Sequence, residues 1–463
     1  MSELHELGLR ALARALRDGE VTPSEATDHY LARIDAHTAL GAFVEVTREA
    51  ARAHAARLGA PPPDAPPLWG VPLADKDLTA RAGVPTRYGS RVHLHHVPEE
   101  SDPLALVLDR AGSISLGKTN TPEFGLSGFT ETVFAPPARD PWDPANGAGG
   151  SSGGAAVAVS AGLLPASPAT DGGGSIRIPS ATVGVVGLKP SRGRVNSGSG
   201  MDSAHGLSVA GPIGRSVDDV ALLLDVLVEG ALPYATRPPG DGPFADAGRT
   251  AVGALRVGVT TVSPWEESMD IRLDAGARDA LEAAIGMLEH AGHAVDDAPW
   301  APTGYADMFL TLWQASAARV AVPDAGLDEL EPLTAWLIRA GRALSSQTLL
   351  GALAGARAFE RATISAFADY DVVLTPSLAL PPQPIGWFAQ HDPALSFRRQ
   401  CEYAPYSSWV NVAGLPALTV PVTTQGHPVS VQLVGRPGGE ATILAVAAQL
   451  EAARGPLPWP MRG

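Results

Sequence analysis

Two glycine-rich stretches, Gly149-Gly150-Ser151-Ser152-Gly153-Gly154 and Thr170-Asp171-Gly172-Gly173-Gly174-Ser175-Ile176-Arg177-Ile178-Pro179, set Ser151 and Ser175 in turns 24 positions apart. Glycine tolerates positive φ and lets backbones approach closely. A run of turn glycines can therefore aim several N–H groups at one point, as a developing oxyanion requires. The same composition also fits two tightly packed loops. After the first turn, residues 155–162 read as a helix of small residues; after the second, residues 183–187 read as a buried apolar segment.

Outward from these turns, helix-like and strand-like segments alternate. Residues 6–17 carry Leu7, Leu9, Leu12 and Leu16 near helical spacing. Thr22-Pro23-Ser24-Glu25 reads as an N-cap, a first-turn proline and a capping-box glutamate, which predicts a helix to about residue 35. Further helices are predicted over 48–58, 102–111 (stopped by Gly112), 217–228, 277–291 and 440–452. Strands are predicted over 71–75, reaching Lys76, and over 113–116, 255–260, 371–375, 417–422 and 428–434. Residues 61–67 form a proline-rich connector, and 230–249, rich in Pro and Gly, form the candidate linker. This alternation predicts an α/β fold.

The 463 residues carry 34 basic and 49 acidic side chains, a formal net charge of −15, with 45% hydrophobic residues. That balance supports a large core and disfavours a broad phosphate-binding surface, so no nucleic-acid partner is expected. Gly (50) and Pro (42) fall mostly between the periodic segments, and no repeat of useful length is present. With Cys401 as the single cysteine, neither an internal disulfide nor a cysteine-rich zinc site can form. The polar N-terminus lacks a signal-peptide pattern, and no apolar run reaches membrane-spanning length. A soluble, cytoplasmic protein is expected.

Four segments invite a chemical reading. Gly149-Gly150-Ser151-Ser152-Gly153 fits the G-x-S-x-G nucleophile elbow, but residues 141–146 before it do not read as a strand. Gly112-Ser113-Ile114-Ser115-Leu116-Gly117-Lys118-Thr119 fits the phosphate-loop pattern, yet it follows a helix and its middle alternates like a strand. His93-Leu94-His95-His96 could hold a metal, although a solvated loop explains it without one. Lys76 ends an apolar strand, where desolvation would favour its neutral, basic form.

Lys76 and the two glycine–serine runs, in this order and spacing, resemble the amidase signature family. Leu116–Phe124, Asp140-Pro141-Trp142-Asp143-Pro144, Val186-Gly187-Leu188-Lys189-Pro190, Asn411-Val412-Ala413-Gly414-Leu415-Pro416-Ala417 and Val431-Gln432-Leu433-Val434-Gly435-Arg436-Pro437 are similar to it as well. The resemblance covers most of the chain and is weakest over about 230–400. It implies one amidase domain over 1–463: a mixed, twisted central sheet covered by helices on both faces, with a loop or insertion at 230–250 and a variable substrate side at about 300–410. It further implies a Ser–cis-Ser–Lys triad. Ser175 would be the nucleophile, Ser151 the proton shuttle after a cis peptide, and Lys76 the base. Backbone N–H groups of Gly172, Gly173, Gly174 and Ser175 would form the oxyanion hole. Ser152 would support the relay, and Asp171 and Arg177 would stand behind the nucleophile, as an ion pair. Asp75 departs from the apolar residue usual before the lysine; on a strand it would point away from Lys76, whereas contact with the ammonium would hold it charged.

The resemblance implies hydrolysis of a carboxylic amide C–N bond through a seryl acyl-enzyme, with neither metal nor organic cofactor. The alternative is the glutaminase-type A subunit of an aminoacyl-tRNA amidotransferase, which usually has Gln where this chain has Ile178. Lys76-Asp77-Leu78-Thr79 and residues 117–123 look somewhat like cyclic-amide oligomer hydrolases. The substrate is a small-molecule amide whose identity the sequence does not reveal; a homodimer is compatible with it. Phe129, Trp313, Trp387, Cys401 and Trp409 could line its pocket, although core packing is the better expectation for any one of them.

Overall fold

The computed structural model describes residues 3–196, 203–229, 243–250, 252–388, 391–423 and 426–461. Most of the candidate linker, residues 230–242, lies outside the described residues; just after it Phe244–Ala247 forms a short helix. Among the described residues no helix is long and apolar enough to cross a membrane.

The N-terminal helices follow their local signals. Pro23–Ala36 opens on the predicted capping box: the Glu25 N–H donates to Thr22 Oγ1 at 3.2 Å, and the Thr22 N–H donates to Glu25 Oε2 at 2.8 Å. These helices lie beside a small mixed sheet ordered β1 (Phe43–Val46), β3 (Ile114–Thr119), β2 (Pro72–Lys76). β2 and β3 run parallel, and β1 runs antiparallel to β3.

The larger sheet has eight strands: β4 (Ala166–Asp171), β5 (Val186–Lys189), β6 (Val209–Gly214), β7 (Arg256–Val259), β8 (Ala294–Asp297), β9 (Val372–Pro376), β10 (Ala417–Pro421) and β11 (Ser430–Gly435). Their order is β4-β6-β5-β10-β11-β9-β7-β8. The ladders are antiparallel from β4 to β9, and β7 runs parallel to both β8 and β9. The helices Val217–Glu229, Ala275–His290 and Glu440–Arg454 pack on this sheet. The outcome is the mixed α/β architecture expected, a large mixed sheet flanked by helices.

The two sheets meet around the helix Gly153–Ser160, which is buried along its whole length. Its small residues are a packing requirement. A Cβ on Gly154 would lie 2.3 Å from the Asn120 backbone nitrogen and 2.4 Å from the Ala42 carbonyl oxygen. This helix and β4 thus bring the ends of both glycine-rich turns against the end of β2.

Candidate active site

Lys76 is the last residue of β2 and is 1% exposed. Its Nζ lies 2.7 Å from Ser151 Oγ, 2.8 Å from Ser152 Oγ and 3.0 Å from Thr170 Oγ1. Burial pushes its pKa down to about 7, against the opposing pull of the Asp171 charge. Ser152 donates its own hydroxyl proton to the Thr170 carbonyl at 3.2 Å, so its oxygen accepts from Lys76. A neutral amine has two N–H donors and one lone pair. Three hydroxyls around it therefore leave one hydroxyl free to donate into that lone pair.

Asp75 does not reach this amine. Strand alternation turns it to the opposite face, where its carboxylate receives Arg81 Nε at 2.6 Å and Nη2 at 3.3 Å. Of the two orientations open for Asp75, the structure takes the one that leaves Lys76 without a neighbouring carboxylate on its own strand.

Ser151 follows a cis Gly150–Ser151 peptide, as the resemblance implied. No strand leads into it, which removes the nucleophile-elbow reading. Ser175 follows β4 through the Gly172–Gly174 turn and is 7% exposed. It borders the same cavity of about 440 Å³ as Ser151, Thr170 and Gly172.

Asp171, at the end of β4, organises the turn. Its carboxylate accepts the Gly174 N–H at 2.7 Å, the Ile176 N–H at 3.2 Å and two Arg177 N–H groups at 3.0 Å each. Arg177 donates onward to Gln432 Oε1 and Asn411 Oδ1, each at 2.7 Å, and to the Ser407 carbonyl at 2.9 Å. Asn411 Nδ2 returns to the Asp171 carbonyl and carboxylate at 2.9 Å. Ser407 Oγ donates to the Gly173 carbonyl at 2.7 Å. Burial alone would raise the Asp171 pKa; the Arg177 charge and its hydrogen bonds overcome that and hold it down at about 2.

The Gly174 N–H is bonded to the Asp171 carboxylate. The N–H groups of Gly172, Gly173 and Ser175 make no hydrogen bond among the described residues. The Gly174 φ is +130°, and a Cβ there would lie 2.3 Å from Ser407 Oγ, so the turn has no space for a side chain.

The other candidates separate cleanly. The false phosphate loop is a turn followed by β3, and Lys118 donates to the Thr79 carbonyl from a buried position. Trp313 borders the cavity and Cys401 a smaller recess beside it. Phe129 stacks on Phe388 at 4.7 Å, Trp387 packs edge-on to Phe388, and Trp409 is buried beside Trp300. His93 and His96 border the cavity, His96 from an exposed position, while the exposed His95 lies off it. Among the described residues no group of three His, Cys, Asp or Glu side chains is placed to hold a metal.

Four polar residues without a sequence-based role belong to this neighbourhood: Thr170, Ser407, Asn411 and Gln432. Asn411 and Gln432 lie within segments that carry the resemblance, and Thr170 precedes Asp171 in the second glycine-rich run; Ser407 has no such signal.

The amidase family model matches residues 25–444. The chain belongs to the amidase signature family. It is 36% identical to a Mycobacterium tuberculosis (strain ATCC 25618 / H37Rv) protein named "Putative amidase AmiB2", over 100% of this chain and 98% of that one. It is 34% identical to the A subunit of a glutamyl-tRNA(Gln) amidotransferase from Nitratidesulfovibrio vulgaris (strain DP4), over 99% of each. Among solved structures it superposes on a 6-aminohexanoate cyclic dimer hydrolase complexed with substrate, with a TM-score of 0.87 and 28% identity, covering 100% of this chain and 99% of that one.

Proposed function

We propose that this amidohydrolase cleaves a carboxylic amide through an acyl-enzyme on Ser175, with Ser151 and Lys76 as its proton relay. The observation that carries the reading is the buried Lys76 amine, its pKa lowered to about 7, set against the Ser151, Ser152 and Thr170 hydroxyls.

Ser175 Oγ attacks the amide carbon as its proton passes to Ser151 Oγ, while the Ser151 proton passes to the neutral Lys76 Nζ. The carbonyl π electrons move onto oxygen, where the N–H groups of Gly172, Gly173 and Ser175 receive the negative charge. Collapse of the tetrahedral intermediate breaks the C–N bond. The relay runs backwards, and Ser151 delivers a proton to the departing nitrogen. Ammonia or an amine leaves, and Ser175 carries the acyl group as an ester. Water, deprotonated by the same relay, attacks that ester; a carboxylic acid leaves and Ser175 regains its proton.

Asp171 and Arg177 hold the nucleophile turn, with Asn411, Ser407 and Gln432 behind them. Because the relay and its supports come from both glycine-rich turns and the C-terminal segments, the chain works as one catalytic unit. Esters should also react, since they acylate a serine more easily than amides do.

The 34% identity to the A subunit of a glutamyl-tRNA(Gln) amidotransferase supports a second reading, in which the chain is a glutaminase-type subunit. Ile178 stands where that branch usually has Gln. An amide panel assayed for ammonia and amine, with a fluorophosphonate label mapped by mass spectrometry, tests both. Label on Ser175 with turnover of simple amides by the isolated chain supports the first reading. Turnover of glutamine alone, and only with a co-purified partner, supports the second.

A further inference from the structure

Ser175 stands between two unequal spaces. The larger, of about 440 Å³, is bordered by Ser151, Thr170, Gly172 and Ser175. The smaller, of about 60 Å³, is bordered by Gly173 and Ser175 but not by Ser151. Trp313 and Leu126 border both. The Trp313 indole N–H donates to the Leu126 carbonyl at 3.2 Å, which pins this partition.

The asymmetry assigns the two halves of an amide, given the relay proposed above, on which this step rests. Ser151 must come within hydrogen-bond reach of the departing nitrogen. The amine therefore occupies the larger space, where Ser151 stands, and the acyl substituent takes the other side. That smaller recess is walled mainly by Ile178, Trp265, Phe309, Phe397 and Cys401, with Ser127, Gln400 and Ser408 also on its lining. It suits a short, apolar acyl tail.

The amine side carries a different surface. Tyr88, His93, His96 and Phe124 line it as a cluster of rings. Ring centroids are 5.5 Å apart for Tyr88–His93, 5.6 Å for Tyr88–His96, 5.6 Å for His93–His96 and 5.9 Å for His93–Phe124. Tyr88 and Phe124 have φ of 53° and 51°, in the left-handed region that bulky residues rarely adopt. The Phe124 N–H donates to the Tyr88 carbonyl at 2.7 Å and ties the two together. Backbone strain held by its surroundings concentrates at ligand sites. Burial, and then the neighbouring His96, lowers the His93 pKa, so that this wall presents a neutral ring at pH 7. Such a wall receives a planar ring by stacking and edge contacts.

We infer that the preferred substrates are short-acyl amides of aromatic or heteroaromatic amines, with the acyl group in the small recess and the amine against Tyr88, His93, His96 and Phe124. Acetanilide and N-methylbenzamide are isomers that exchange the two sides of the amide bond, and the full chain should show the higher kcat/KM for acetanilide. Aniline is the easier leaving group, so two variants separate recognition from reactivity. His93→Leu/His96→Leu should lower kcat/KM for acetanilide about tenfold more than for acetamide, mainly through KM, the size of one or two ring contacts. Phe397→Ala, a truncation of a half-buried side chain, should move the preference among anilides from acetyl toward hexanoyl.

Preference for N-methylbenzamide, or no turnover of acetanilide, with fluorophosphonate still labelling Ser175, overturns this inference and leaves the proposed chemistry standing. So does an exchange of effects, with the histidine variant changing acyl-length preference and Phe397→Ala changing amine preference. Absence of label from Ser175 together with an active Ser175→Ala enzyme removes the proposed chemistry and this inference with it.

Discussion

The Asp171 carboxylate accepts the Gly174 N–H at 2.7 Å, and this one bond divides the labour of the glycine run before Ser175. Gly174 locks the turn, while the N–H groups of Gly172, Gly173 and Ser175, unbonded among the described residues, can face a developing oxyanion. Only the charged carboxylate can accept on both oxygens from the Gly174 and Ile176 N–H groups, Arg177 and Asn411 together, and the Arg177 guanidinium keeps it charged, holding Asp171 at about 2 against the effect of burial.

Removing that guanidinium should destabilise the fold strongly. Arg177→Met leaves the Asp171 charge buried without its partner, a situation that costs about 3–5 kcal/mol. Arg177→Lys restores a charge but not the planar fork that reaches Asp171, Asn411 and Gln432 together, so it should recover only part of the loss. Urea denaturation at pH 7 measures both variants. An Arg177→Met protein as stable as the parent would contradict the account of the turn.

Ser175→Ala should abolish fluorophosphonate uptake and amide turnover while leaving the fold intact, because among the described residues the hydroxyl makes no hydrogen bond. Mass spectrometry of the labelled wild type should place the adduct on Ser175. An adduct on Ser151 instead would reverse the roles of nucleophile and shuttle.

The sequence was most legible where local chemistry decides structure. The Thr22–Glu25 capping box, the strand ending at Lys76 and the final helix each follow from patterns a few residues long. β4 and β6 escaped that reading because Ala-Ser-Pro-Ala-Thr-Asp and Val-Ala-Gly-Pro-Ile-Gly lack the alternation of an ordinary strand. Pro168 and Pro212 face each other in their register, a pairing that only the tertiary fold creates. The serines and the lysine came from matched motifs. The Gly174–Asp171 bond did not, since composition cannot say which N–H in a glycine run is already occupied. The histidines at 93 and 96 read as a loop or a metal cluster because the residues that complete their wall, Tyr88 and Phe124, bring them to the cavity through backbone geometry that the sequence hides.

Thr170→Val tests the third hydroxyl beside Lys76. The Thr170 oxygen, 3.0 Å from Nζ, stabilises the ammonium more than the amine, because the ammonium has the extra N–H to donate. Its removal should therefore lower the lysine pKa and shift the acidic limb of the rate profile to lower pH. Turnover should also fall, since the amine loses one of the contacts that orient it toward Ser151. A shift of that limb to higher pH would show that Thr170 acts chiefly as a donor to the neutral amine.

The base itself is tested by the pH dependence of amide hydrolysis. Lys76 accepts a proton only when neutral, and burial lowers its pKa to about 7. Below that value the ammonium predominates and kcat/KM should climb about tenfold per pH unit; above it the rate should level off. Lys76→Ala should remove this climb and lower amide turnover by about 10²–10⁴-fold, the usual contribution of a positioned base. Esters should lose less, because an alkoxide leaves with less need of a proton than an amine does. Asp75 supplies the control. Its carboxylate is engaged by Arg81 on the opposite face of β2, so Asp75→Asn should leave the midpoint of the profile in place. It should instead destabilise the fold by less than the loss of a sole buried partner would, because Arg81 keeps its ion pair with Asp109 at 2.7 Å. A wild-type rate that is flat through pH 7, or a Lys76→Ala enzyme with parental amide turnover, would mean that another group takes the proton.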